Sequence, residues 1–191
     1  MRRTLSIAVV TAAVVGGGLS LGAAPALAAD DVRCTGAIGA VEVKSVLVPE
    51  DATCTLNGTT VLGDVTVLED ASLNARDVEV RGGVQGQRAA AVALGNAQVR
   101  GNVKVQDGGS ATIGGTTIGG DLQLTKNDST VQVTNSSVGN NLDASENTGG
   151  VEVSHNWIRS NLTGQDNVPA PVGGDNVVGG TAEKQFEGFE G

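Results

Sequence analysis

Between residues 44 and 166 the apolar side chains recur in rows. One row holds Val46, Val65, Val84, Val103, Leu122, Leu142 and Leu162. A second, two residues on, runs through Val48, Val67, Gly86, Val105, Leu124 and Ala144. A third holds Cys54, Leu73, Val92, Ala111, Val131 and Val151, and a fourth follows two residues later, from Leu56 to Val153. A fifth runs from Val61 to Ile158. Apolar residues paired at i and i+2 predict a strand. Each unit carries two such pairs and one shorter apolar point, so it predicts three short strands. Gly, Asn, Asp and Ser lie between them, as turns require. Beyond residue 29 no window shows the i, i+3, i+4, i+7 spacing of a helix.

The units repeat with a tight period. Gly63, Gly82, Gly101, Gly120, Asn140 and Ser160 begin equivalent stretches at steps of 19, 19, 19, 20 and 20 residues. Upstream, "SVLVPEDATC" matches "DVTVLEDASL" at a step of 19. A unit this short cannot bury its own apolar face, but it can when stacked on copies of itself. Parallel crossovers are overwhelmingly right-handed. The expectation is an all-β domain, a right-handed parallel β-helix of about six coils over 44–166. At about 4.8 Å per coil it would be a rod roughly 30 Å long.

Stacking also predicts rows of polar side chains. Glu50, Glu69, Arg88, Asp107, Lys126, Glu146 and Asp166 share one position, and their signs alternate from Glu69 to Glu146. Asn127, Asn147 and Asn167 form a short row beside it. Register and turn geometry account for both rows better than a binding face does. The position after the first Gly of each unit alternates among Asp64, Gly83, Asn102, Asp121, Asn141 and Asn161. Those residues share turn geometry, not charge. Asp121 is therefore read as a turn residue, neither a calcium ligand nor a catalytic acid.

The ends depart from the period. Cys34 and Cys54 are the two cysteines of the chain. The pair predicts a disulfide that ties residues 30–43 over the N-terminal end as a cap. Residues 167–191 are rich in Gly, Pro and acids. They read as an irregular cap over 167–178, then a flexible acidic tail. Residues 1–29 have Arg2 and Arg3, an apolar stretch and small residues ending at Ala29, the pattern of a secretory signal peptide rather than an anchor.

Composition narrows the partners. Aromatics make up 2% of the residues, so the interior must be built from Val, Leu, Ile and Ala. The net charge is −9, and removing the leader with its two arginines makes it −11. Nucleic acid and anionic lipid both need a basic face, so neither is an expected partner. No membrane insertion is expected either.

Candidate chemistry is sparse. Stacked carboxylates such as Glu50 with Glu69, or Asp51 with Asp70, have the spacing of glycosidase pairs. Any solenoid supplies such pairs, and consecutive coils that differ by at most one residue leave no insertion to wall a cleft. An enzyme is not expected, nor a metal or cofactor. His155 and Trp157 are the only His and Trp. They are the candidate ligand contacts, with a sugar ring stacked on Trp157. The plainer reading has Trp157 covering the end of the apolar stack.

The chain order of a signal peptide, "VLVPEDATCTLNGTTVLGDVTV", "GGDLQL" and "GNNLDASENTGGVEV" resembles a group of small secreted bacterial parallel β-helix proteins of unassigned function. Members of that group often carry further C-terminal cysteines, which this chain lacks. The chain also has a weaker similarity to bactofilins, which polymerise end to end through β-helical cores. No catalytic residues come with either resemblance, and the expected function is that of a secreted, non-enzymatic solenoid, structural or adhesive, outside the cell or on its envelope. The alternatives are a carbohydrate-binding or polysaccharide-active module and an end-to-end polymer. The second implies self-association through coil ends.

Overall fold

The computed structural model describes residues 31–191; the signal peptide expected over 1–29 lies outside them. Successive side chains of a strand point to opposite sides, so each i, i+2 apolar pair faces one way. Three strands closed into a coil turn all these pairs inward. The second coil shows the plan, with Ser45–Val48 on a first face, Thr53–Asn57 on a second and Thr60–Val61 on a third. Coils stack in parallel, giving three sheets of nine, eight and eight strands.

The register reproduces the sequence rows. Val46, Val65, Val84, Val103, Leu122, Leu142 and Leu162 follow one another coil by coil. All seven are buried. The row from Cys54 to Val151 and the row from Val61 to Ile158 keep register in the same way. The core is thus one narrow column of aliphatic side chains, as the shortage of aromatics requires.

The solenoid has about eight turns, not six. A first coil is formed by Asp31–Arg33, Ala37–Ile38 and Glu42–Val43, within the stretch expected to be a cap. Its first corner is short. Asp31 pairs with Ser45, 14 residues on, whereas Ala37 pairs with Thr55, 18 residues on. That compression hides the coil from a search at 19–20. At the other end Val172–Gly174, Val177–Val178 and Ala182–Lys184 continue the sheets into residues read as cap and tail. There the period holds, but Pro171 and Gly173 stand where earlier coils have Val151 and Val153.

Each end is fastened differently. Cys34 and Cys54 are bonded inside the core, with Cα atoms 5.5 Å apart. The bond staples the first coil to the second; closing a loop of this length is worth about 3 kcal/mol. At the C-terminal end Phe186 is fully buried and meets Phe189 edge-on at 5.0 Å. Gly164 makes room for it, since a Cβ there would run into the Phe186 ring. The N–H and side-chain amide of Asn176 both donate to the Phe189 carbonyl at 3.0 Å. Phe186, not Trp157, covers the apolar stack.

Two rows of left-handed residues turn the corners. Between the first and second faces they are Asp51, Asp70, Arg88, Asp107, Lys126, Glu146 and Asp166. From Arg88 onward this is the alternating charge row of the sequence; in the two earlier coils the turn falls one residue after Glu50 and Glu69. Arg88 bonds Glu69 at 2.9 Å, and Lys126 lies 3.9 Å from Glu146. These pairs are about half exposed, where ion pairs contribute little. Between the second and third faces the corner residues are Gly58, Asp77, Asn96, Gly115, Asn135, His155 and Asp175. Asn, Asp and His are the non-glycine residues that best tolerate this conformation.

Asparagine ladders run inside the C-terminal half. Asn127, Asn147 and Asn167 are buried, next to the first corner. The Asn147 Oδ1 accepts from both the N–H and the Nδ2 of Asn127, at 2.9 and 3.0 Å. Asn167 Oδ1 does the same for Asn147, both at 3.0 Å, and Gln185 ends the ladder by accepting from Asn167. Asn156 and Asn176 form a matching ladder at the second corner. Each rung satisfies a backbone N–H that the turn would otherwise leave unpaired inside the core.

Candidate ligand-binding face

Where inward residues alternate with outward ones, the first face presents two outward polar rows. Thr66, Gln85, Lys104, Gln123, Asp143 and Thr163 form one. Gln87, Gln106, Thr125 and Ser145 form the other. Successive side chains within a row repeat at about 4.8 Å. Three open depressions lie along this face. One of about 480 Å³ is bordered by Thr66, Gln85 and Lys104. One of about 450 Å³ lies over Gln106, Thr125, Ser145, Thr163, Gln165 and Lys184. A smaller one of about 290 Å³ between Asp121, Asn141 and Asp143 shares Gln123 and Asp143 with the second. All three are open: the second and third adjoin, the first lies apart toward the N-terminal end, and together they mark a grooved strip along the solenoid axis in two separate stretches.

The groove offers amides, hydroxyls, carboxylates and amines. Some are already oriented by their neighbours: Ser145 donates to Asp143, and Lys184 to Gln165. Such a strip presents hydrogen-bonding groups repeated along the solenoid axis. The row that borders it, from Asp64 to Asn161, acts on the backbone. Asp64 Oδ1 accepts from the Gly83 N–H at 2.7 Å. Asp121 Oδ1 accepts from the N–H and Nδ2 of Asn141, both at 3.1 Å. An amide oxygen serves the same purpose, which is why Asn alternates with Asp there.

The sequence candidates lie elsewhere. His155 sits in the left-handed corner between the second and third faces, with Nε2 3.5 Å from Asp175 Oδ2. Trp157 is on the outward side of the third face, between Ser137 and Val177, and is 49% exposed. The two are near neighbours at one corner but are not on the grooved face. Asp51 and Asp70 are exposed turn residues with positive φ. Among the described residues, no three His, Cys, Asp or Glu side chains gather closely enough to hold a metal ion, and no helix is long and apolar enough to cross a membrane.

Sequence reasoning missed the first-face groove and the second asparagine ladder. The signal for the groove was the outward parity of Gln85, Lys104, Gln123 and Asp143, each between two inward residues. The signal for the ladder was Asn156 and Asn176 at the period of the repeat.

The fold and this face define the class: an all-β parallel solenoid that carries a periodic polar strip on one of three sheets. Comparisons with protein families, with curated proteins and with solved structures find no match to this chain.

Proposed function

We propose that this is a secreted, non-enzymatic solenoid, an adhesive or structural component of the extracellular space or cell envelope, that lays its first face along an extended polysaccharide. The observation that carries the reading is the groove. Its hydrogen-bonding side chains repeat at about 4.8 Å, which suits a ligand that is itself an extended polymer of hydroxyl-rich units. A buried disulfide at the first coil supports a place in an oxidising compartment. From the second coil onward the coils differ by about one residue, so no long insertion crosses the face along its axis, as a polymer needs in order to run through.

A second reading places the glycan at Trp157, whose exposed ring beside His155 offers a stacking surface. Co-sedimentation with insoluble peptidoglycan and cellulose tests both. The native protein is expected to be retained. Gln123→Ala with Asp143→Ala is expected to weaken retention at least about tenfold, the effect of losing one or two hydrogen bonds. Retention that survives this change but is lost in Trp157→Ala moves the site to the second reading. No retention by any of the proteins contradicts the glycan reading.

A further inference from the structure

We propose that the N-terminal edge of the solenoid pairs with the same edge of a second copy, antiparallel through Asp31–Arg33, to give a closed head-to-head dimer. The two ends of the rod differ. At the C-terminal end the chain folds back over the last coil, with Phe186 buried and a bridge between Asn176 and Glu190. At the N-terminal end Asp31–Arg33, Ala37–Ile38 and Glu42–Val43 are the terminal strands of all three sheets. Among the described residues, none pairs with their outer edges. Open edges are templates for another chain.

The backbone of Asp31–Arg33 faces the right way for this pairing. The Cys34 N–H points into the solenoid and donates to Leu47 at 2.8 Å. Alternation along the strand then turns the N–H and C=O groups of Asp31 and Arg33 outward. In an antiparallel ladder, a hydrogen-bonded pair exchanges both groups between the same two residues. Centred on Val32, the pairing sets Asp31 against Arg33 of the second copy, and Arg33 against its Asp31.

The side chains agree with the backbone. Both charged residues are exposed and lie on the same side of the strand. "Asp-Val-Arg" read antiparallel to itself matches acid with base twice, the favourable cross-strand arrangement. Hydrogen bonds from Ser45 and then Lys44 hold the Asp31 carboxyl below the ordinary carboxylate range, so it is charged at neutral pH. Each of its oxygens accepts one of these bonds and retains room for a further donor. Val32 and Ile38, partly buried, and the exposed Val41 lie at the same end and would be covered in the dimer. A two-fold contact of this kind is self-complementary and closes at two copies, so it builds no filament. The inference does not depend on the glycan reading.

Sedimentation of the chain beginning at Asp30, without glycan and across a wide concentration range, tests it. A monomer–dimer equilibrium is expected. Arg33→Glu sets acid against acid at both pairs and should weaken dimerisation at least about tenfold. Asp31→Arg combined with Arg33→Asp restores opposite charges and should restore the dimer. Circular dichroism and thermal melting confirm that each variant is folded. Monomers at every concentration, filaments, or a dimer indifferent to Arg33→Glu would overturn the proposal.

Discussion

Leu122→Asp is expected to break the solenoid at its sixth coil. Leu122 is fully buried, stacked between Val103 and Leu142. The substitution removes an aliphatic side chain from a narrow column and puts a carboxyl there with no buried partner. The first effect alone costs about 2–5 kcal/mol, and the stranded polar group adds about 1–3 kcal/mol. A total near 4 kcal/mol or more corresponds to a fall of roughly 8–16 °C in Tm for a domain of this size. Because each coil touches only its neighbours, the lesion also separates the coils before it from those after it. Thermal melting followed by circular dichroism should show the drop and a broader transition. Leu122→Val, which copies the residue one coil below, should cost only about 1 kcal/mol. Equal melting curves for Leu122→Asp and the native protein would remove Leu122 from the core.

Asn147→Leu is the second large effect, and for the opposite reason. The substitution makes the core more apolar and keeps the branching of the side chain, yet it should destabilise. Asn147 accepts from the N–H and Nδ2 of Asn127, and its own Nδ2 donates to the Leu124 carbonyl at 2.9 Å and to Asn167 Oδ1. A leucine there leaves several polar groups without partners inside the protein. Each buried orphan costs about 1–3 kcal/mol, so the loss should be at least about 3 kcal/mol. Denaturant unfolding reads it directly. An unchanged midpoint would mean that the ladder fills space without satisfying the turns.

These two substitutions mark what was legible in the sequence. The Leu122 row was readable because a strand has a strict period of two and the coil a period of 19–20, so burial is written twice. Parity also placed Trp157: its neighbour Ile158 is inward, so Trp157 had to face out. Reading Trp157 as a lid gave bulk more weight than parity. The Asn147 row was visible as a recurrence, but its burial was not. Asparagine is a turn residue on the surface and a rung inside, and the sequence of a corner is the same in both cases. The ends were hardest. The first coil has a shortened corner, and the last exchanges aliphatic residues for Pro171 and Gly173, so each breaks one of the two signals. The groove was missed because its residues are individually ordinary. Only stacking turns Gln85, Gln123 and Asp143 into a strip.

Coil stacking brings residues far apart in sequence to a fixed separation. Thr66 and Thr163 lie on the outward row of the first face, five coils apart. Spin labels placed at both, read by pulsed electron resonance, should give one narrow distance distribution centred at roughly 24 Å, five steps of about 4.8 Å. A flexible chain of the same length would spread broadly around about 50–60 Å. A broad distribution, or a narrow one far from 24 Å, would contradict the stacked solenoid and the polar face built upon it.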